Sequence, residues 1–568
     1  MTNYQFTGGT ICAPATIPGT GAISIIRVSG KEALAIADKV IDTKGVPIAE
    51  TEGYRLRYGT VFEADGSVLD NVIVSVFRAP HSYTGENSVE ISCHASRFIV
   101  NKILELLVNA GARIAAPGEF TRRAFVNGKM DLAQAEAVAD VIASQSAASH
   151  RVAMNQLKGG FSSELKVLRE KLLTMTSLLE LELDFSEEDV EFASRKELGQ
   201  LVDDSLTHIG RLTASFSRGN AIKNGVPVAI VGATNTGKST LLNAMLGEER
   251  AIVSDIAGTT RDTIEETLNI DGILFRFIDT AGIRETDETI EKIGIDRTFK
   301  KLGEAAVVLG MTDLSRGEAA VLEDADFILS KVNEMGGVKN DGTENDGSET
   351  GGTPLAGTDG ASLAGTGGAS LAETGGAHLA ETDGTSLAET DGASQHGHGD
   401  GQERKVVILV NKCDVAGDFY RDDNGTGYGS GNDLGENMAE IGGNKNVNHD
   451  NNIVSLIENK YDNCKVIPIS AKTGKGLSTL TKTLGEIGSE ITGSTDETLV
   501  TNVRHYEALV RAASALDRVR AGLHIATLPP DLIAQDLREA LYHLGEIVGE
   551  ISTDETLGNI FRKFCIGK

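Results

Sequence analysis

The sequence predicts a mixed α/β plus α architecture: an N-terminal α/β domain, then a helical domain interrupted by an inserted Ras-like P-loop domain. Three observations carry this. Short β-rich runs alternate with helical stretches up to about residue 126. A Pro-free pattern rich in Ala, Leu and Glu covers 130–218, and helices return after Thr495. Between the two helical stretches lies a strand, a glycine turn and a helix at 226–247. A length of 568 residues fits three or four domains of about 100 to 200 residues each. The boundaries fall at 1–127, 128–222, 223–495 and 496–568.

In the first domain AISIIRV, NVIVSVF and SVEISC read as strands and ASRFIVNKILELLVNAG as a helix. In the second, Leu132, Ala135, Ala139 and Ile142 recur at spacings of three and four, one apolar stripe on a helix. In the last, Ile533, Leu537, Leu541, Leu544 and Val548 keep one face. The Pro529–Pro530 pair ahead is a stop signal, and Asp531 is available as N-cap. The two helical segments are expected to pack into one bundle.

Two inserts interrupt the P-loop domain. Residues 336–401 contain an octapeptide repeated five times, with leucines at Leu355, Leu363, Leu371, Leu379 and Leu387. One Leu per repeat offers too little apolar surface to offset chain entropy, so a disordered loop is expected. Residues 415–452, rich in Gly, Asn and Asp, read the same way.

Lys plus Arg number 53 against 82 Asp plus Glu, a net charge of −29, which argues against a generic polyanion binder coated in basic side chains. About half of that excess belongs to the inserts: 11 acidic against 1 basic residue in 336–401, and 7 against 2 in 415–452. A phosphate site made of backbone amides stays open, because amides carry no formal charge. Five cysteines (Cys12, Cys93, Cys413, Cys464, Cys565) form no CxxC pair, so neither a disulfide framework nor a zinc ribbon is expected. No basic leader and no apolar stretch near about 18 residues is present, so a cytoplasmic protein without a membrane span is expected.

The GxxxxGK(S/T) motif spans Gly232 to Ser239, in a strand–turn–helix closed by Gly247. Its glycines let the backbone of Asn235, Thr236, Gly237, Lys238, Ser239 and Thr240 curl round phosphate oxygens. Lys238 bridges the terminal phosphates and Ser239 can ligate magnesium. Asp279, Thr280, Ala281 and Gly282 follow the strand FRFI, the place of a magnesium-shell carboxylate and a γ-phosphate sensor. Asn411, Lys412, Cys413 and Asp414 follow VVILV. Asp414 can accept both N1–H and N2–H of guanine, a pattern adenine does not offer. Ser470, Ala471 and Lys472, after VIPI, supply amides toward the guanine carbonyl. Together these predict GTP as the substrate.

Where a Ras-type GTPase has Gln after the DTAG glycine, this chain has Ile283, which cannot orient water. The segment Ser254 to Asp262, with Ser254, Asp255, Ile256, Ala257, Gly258, Thr259 and Thr260 as nucleotide-binding candidates, could wrap the nucleotide with carbonyl and hydroxyl oxygens, and together with Asn235 these could instead hold a monovalent cation. Asn235 as a plain turn former is the other reading. Thr260 is the candidate second magnesium ligand, and no Glu of RETDETIEKIGID stands out as catalytic by composition.

The assembly resembles the TrmE/MnmE family of tRNA-modification GTPases. The resemblance rests on GAISIIRVSG, SYTGENSVEISCH, PGEFTRRAFVNGKMDLAQAEAV, GTTRD, DTAGIRE, EKIGI, TNVRH and the terminal FCIGK. It implies a homodimer paired through N-terminal domains that bind a 5-formyl- or methylene-type tetrahydrofolate at Arg27, Glu90, Lys129 and Lys568. It implies potassium activation with Asn235, Ser254, Ile256 and Thr259 as ligands, Glu291 organising the attacking water, and a role for Cys565 at the modification site. Arg562, Lys563 and Lys568 would favour the Cys565 thiolate; an inert, half-buried thiol is the alternative. The implied activity, with an FAD-dependent MnmG-like partner, is addition of a carboxymethylaminomethyl-type group at C5 of the wobble uridine of certain tRNAs. A ribosome-assembly switch GTPase and a folate-dependent aminomethyl transferase with a regulatory G domain are the alternatives. His94-Ala95-Ser96 stands where the family has His-Gly-Gly, which would be strained if those positions needed positive φ.

Overall fold

The computed structural model describes residues 8–184, 194–249, 266–278, 305–334, 404–414, 453–461, 464–493, 497–524, 529–551, 553–562, 564 and 567. Both inserts lie outside the described residues.

The N-terminal body is a seven-stranded sheet in the order β3-β4-β5-β6-β2-β1-β7. Its strands are β1 (Ile11–Pro14), β2 (Ile23–Ser29), β3 (Ile41–Asp42), β4 (Arg55–Phe62), β5 (Val68–Phe77), β6 (Ser88–His94) and β7 (Arg113–Ile114). Helices α1 (Ala33–Val40) and α2 (Arg97–Asn109) cover one face, and α3 (Glu119–Val126) leads out. The alternation in β5 explains the one-sided cover: Val72, Val74 and Val76 are buried against the helices, while Ile73 between them faces out. Tyr58 sits opposite Ile73 in the β4–β5 pair, and with Leu56 they form an exposed apolar strip. Ala95 is absent from the positive-φ residues and Ser96 has φ −98°, so the Ala-Ser pair is unstrained.

The helical body gathers α4 (Leu132–Ala143), α5 (Ala147–Leu157), α6 (Gly160–Asp184), α7 (Arg195–Ala214) and α8 (Phe216–Asn224) from before the P-loop domain. After it come α13 (Val503–Leu523), α14 (Pro530–Val548) and α15 (Asp554–Phe561). One core, including Leu165, Leu172, Ile209, Leu509, Leu516, Leu537 and Leu544, is built from both segments. The α14 stripe is buried as patterned, but the helix begins at Pro530 with Pro529 as N-cap, and Asp531 makes no capping bond. Proline at the first helical position needs no N–H and has its φ preset, so the pair starts the helix as well as stopping what precedes it. Ile142 is 50% exposed, because α4 ends one residue later.

The inserted body is a six-stranded sheet, order β13-β12-β11-β8-β10-β9, parallel except for the β9–β10 edge. Its strands are β8 (Val226–Gly232), β9 (Glu266–Ile270), β10 (Ile273–Ile278), β11 (Val307–Asp313), β12 (Lys405–Asn411) and β13 (Cys464–Pro468). Helices α9 (Lys238–Glu249), α10 (Glu318–Glu334), α11 (Ile453–Lys460) and α12 (Leu477–Thr492) belong with it. Gly247 does not close α9, which continues to Glu249. Glycine costs a helix only about 1 kcal/mol, too little to end one at its own position.

The two crossings between the bodies are sewn together. Val500 N–H donates to Ser215 Oγ at 3.1 Å and Arg218 pairs with Glu497 at 2.6 Å. A Cβ on Gly219 would lie 2.2 Å from the Val500 carbonyl oxygen, so glycine is what lets α8 touch the returning chain.

Candidate functional site

The carboxyl ends of β8, β12 and β13 bring the P-loop, Asn411 to Asp414 and Ser470 to Lys472 together, as strand order dictates in an open parallel sheet. Gly232 has φ 154° and Gly237 φ 102°, and an added Cβ would meet Met311 O at 2.3 Å or Asn411 Nδ2 at 2.4 Å. Their role is therefore close packing as well as turn geometry. Asn235 has φ 61° and is exposed, with Thr236 buried beside it. Lys238 donates to the carbonyls of Gly232 at 2.9 Å and Ala233 at 2.8 Å, curling over the loop, and burial pushes its ammonium down from the ordinary value. Ser239 and Thr240 lie in the first turn of α9.

Asn411 joins the three loops. Its Nδ2 donates to Thr236 O at 2.6 Å and its Oδ1 accepts from Ala471 N–H at 3.0 Å, tying the P-loop to the SAK turn. That turn is closed by Ser470 N–H to Lys475 O at 2.9 Å and leaves Lys472 exposed. Cys413 faces inward to the Val410 carbonyl, and burial raises its thiol to about 11. Asp414 is half-buried beside it. Lys412 pairs with Asp313, a residue the sequence reading passed over; an acid at the end of an otherwise apolar strand was the available signal. Burial pushes the Asp313 carboxyl up, but the bonds from Lys412 and Ser315 outweigh it and hold the group below its ordinary value.

Ser254 to Thr260, Asp279 to Gly282, and Glu291 lie outside the described residues, as do Cys565 and Lys568.

In the N-terminal body Arg27 and Glu90 are cross-strand neighbours on β2 and β6, and Glu90 Oε1 accepts from Arg27 Nε at 3.0 Å and Nη2 at 2.8 Å. The guanidinium lies 5.2 Å from the Tyr83 ring centre and 5.6 Å from that of Phe120, and also reaches Gly567 O at 3.4 Å. Tyr83 and Phe120 were not singled out from sequence, although SYTGENS and GEFTRRAF contain them. Lys129 donates to Pro80 O at 3.1 Å, in the loop that leads to Tyr83. The chain end reaches this place because Phe561 and Phe564 are buried beside Leu132, Ala135 and Val138. Gly567 has φ 99° with no room for a Cβ next to Pro14 O.

A parallel sheet whose strand ends unite a P-loop, an NKxD segment and an SAK turn defines a P-loop GTPase. Residues 10–129 match the family described as GTP-binding protein TrmE N-terminus, and residues 132–565 match the MnmE helical domain. The chain is 43% identical to the tRNA modification GTPase MnmE of Parabacteroides distasonis over 98% of this chain and 100% of that one. It is 42% identical to that of Bacteroides thetaiotaomicron, over 98% and 99%. The counterpart from Porphyromonas gingivalis is 41% identical over 100% and 99%. The chain belongs to the MnmE family of tRNA modification GTPases.

Proposed function

We propose that this chain hydrolyses GTP on its inserted domain and uses the resulting domain movement to modify C5 of the wobble uridine of certain tRNAs, together with an FAD-dependent MnmG-like protein. Family membership makes it a GTPase acting in tRNA modification. The observation that carries the nucleotide half is Asn411, bonded at once to Thr236 and Ala471, which holds the phosphate loop and the base loops in one frame.

In this reading Lys238 exchanges the Gly232 and Ala233 carbonyls for terminal phosphate oxygens, and the amides of Asn235 to Thr240 donate to the other phosphates. Asp414 accepts the two guanine N–H groups, and the turn Ser470 to Lys472 supplies amides toward the base carbonyl. Ser239 and Thr260 would hold magnesium, and Asn235, Ser254, Ile256 and Thr259 potassium. The Ser239 hydroxyl on the first turn of α9 and the exposed Asn235 amide are hard oxygen donors that suit these ions. The ions supply positive charge at the phosphates where other GTPases use an arginine finger. Glu291 orients the attacking water.

The half-buried Arg27–Glu90 pair between two aromatic rings fits a flat, hydrogen-bonding heterocycle such as a tetrahydrofolate pterin, in its 5-formyl or methylene form. Lys129 and Lys568 would meet its charged tail, with Cys565 beside the transferred carbon. The outward strip of Leu56 (67% exposed), Tyr58 (66%) and Ile73 (47%) supports pairing of two copies through their N-terminal sheets. Among the described residues no helix is long and apolar enough to cross a membrane. The test is mass spectrometry of wobble uridines from a deletion strain complemented with this chain or its Lys238→Ala form. The first restores the modified base and the second does not; full modification by Lys238→Ala would overturn the coupling to GTP.

A further inference from the structure

The Asp313 carboxylate is built as an anchor before Lys412 reaches it. Asp313 ends β11, in register with Asn411 on β12, and is only 6% exposed. Its Oδ1 accepts from Ser315 N–H at 3.0 Å and Ser315 Oγ at 2.6 Å, which fixes the carboxylate and caps the short turn Leu314–Arg316. Oδ2 is left to take the Lys412 ammonium at 2.6 Å. Lys412 itself stands in the left-handed region at φ 65°, a costly conformation for a residue with a Cβ. Its side chain is 34% exposed, with the ammonium held on Asp313.

We infer that Asp313 is a positioning residue for guanine-nucleotide binding: it pins the Lys412 ammonium so that the lysine stem forms a fixed apolar wall of the base site. This rests on the reading of Asn411 to Asp414 as the base reader. Asn411 already ties that segment to the P-loop and to the SAK turn, and Asp313 adds a third tie, to β11, acting on Lys412, one of the two residues between Asn411 and Asp414. Without it a long side chain with many rotamers must be ordered by the nucleotide itself, and that ordering cost appears as weaker binding.

The test uses the full chain, a fluorescent GDP analogue and steady-state GTP turnover. Asp313→Asn raises the nucleotide Kd and the KM for GTP about ten-fold, the loss of one charge-assisted bond. The effect on kcat at saturating GTP is smaller, roughly two-fold or less. Asp313→Glu recovers part of the affinity, and in a Lys412→Met background Asp313→Asn adds no further loss. Unchanged Kd in Asp313→Asn, or the same ten-fold loss in the Lys412→Met background, overturns the assignment. If Asp313→Asn does not fold, Asp313→Glu against Lys412→Met carries the same comparison. Failure of the base-reader reading is separable: it appears as Asp414→Asn keeping its preference for guanine.

Discussion

Arg504 and Glu136, one from each side of the inserted domain, grip each other through two hydrogen bonds of 2.9 and 3.1 Å. The same guanidinium donates to the carbonyls of Glu546 and Ile547 at the end of α14, at 2.7 and 3.0 Å. The pair is a rivet through three helices from two distant parts of the chain. Glu136 is 8% exposed, so removing its charge leaves Arg504 without its anion in a poorly solvated place. Glu136→Gln should cost the helical body about 3 kcal/mol. Urea unfolding followed by far-ultraviolet circular dichroism checks this, and a loss well under 1 kcal/mol would mean that the pair is only a surface contact.

His505 gives the same region a pH dependence. Its Nε2 lies 2.7 Å from Glu136 Oε2, and its Nδ1, with no hydrogen-bond partner among the described residues, faces a fully buried setting beside Phe161. Burial pushes this imidazole down from its ordinary value, against the pull of Glu136, so at neutral pH the folded protein holds it uncharged. The unfolded chain takes up that proton near about pH 6.5, so stability falls as pH drops below that point, by up to about 1.4 kcal/mol per pH unit. Burial raises Glu136, but His505 and Arg504 overcome it and hold the carboxyl at about 2; its contribution is full above the ordinary carboxylate range and is lost progressively from there down to about pH 2. Urea midpoints of the parent and of His505→Gln at pH 7 and pH 5 separate the two groups: the substitution should flatten the slope, and an unchanged slope would assign it elsewhere.

Replacing sodium by potassium should raise GTP turnover. An arginine finger is worth roughly 10³ to 10⁵ in rate, and a cation in its place should supply at least about ten-fold. Phosphate release in matched chloride salts measures it. Asn235→Ala should remove the difference between the salts, and equal rates for the unaltered chain would discard the cation site.

Asp414→Asn should exchange guanine for xanthine preference, because the amide donates where the carboxylate accepted. Competition between GDP and xanthosine diphosphate for a fluorescent analogue reads the switch, with about a ten-fold or larger loss for GDP.

At the seam between the bodies, Gly219→Ala sets two effects against each other. Alanine gains up to about 1 kcal/mol of helix propensity. Its Cβ, however, would lie 2.2 Å from the Val500 carbonyl oxygen, a backbone atom that cannot swing away. Overpacking of this kind costs about 1 to 3 kcal/mol, so the variant should be net destabilised, by about 1 kcal/mol in the same urea assay.

What the sequence disclosed followed the range of the interaction. The α14 stripe from Ile533 to Leu544 and the P-loop glycines are local patterns, and both stand where the spacing predicted. Local signals failed where two compatible chemistries competed, as at Asp531 beside Pro530 and at Gly247 inside α9. Glu136, Arg504 and His505 were invisible as a cluster because nothing in a helical repeat says which polar side chain meets another across the bundle. Asp313 was missed for a related reason: an acid ending an apolar strand is a local signal, but its partner Lys412 follows a different strand, and only their pairing gives it a role. Arg27 and Glu90 were reachable through family resemblance alone, whereas their register on β2 and β6 needed the folded sheet.

The shared core of the helical body also sets an order of assembly during synthesis. Helices α4 to α8 leave the ribosome with their apolar stripe bare, and α13 and α14, which complete that core, follow only after the whole inserted domain has been made. The inserted domain draws its core from residues between Val226 and Leu484, with Ala221 of the already made α8 against it, so it can close first. The bond from Val500 to Ser215 then acts as a late fastener: it can form only once both crossings exist, and it brings the returning strand of chain back to the waiting helices. Early-made α4 to α8 are thus the part of the nascent chain most exposed to chaperones.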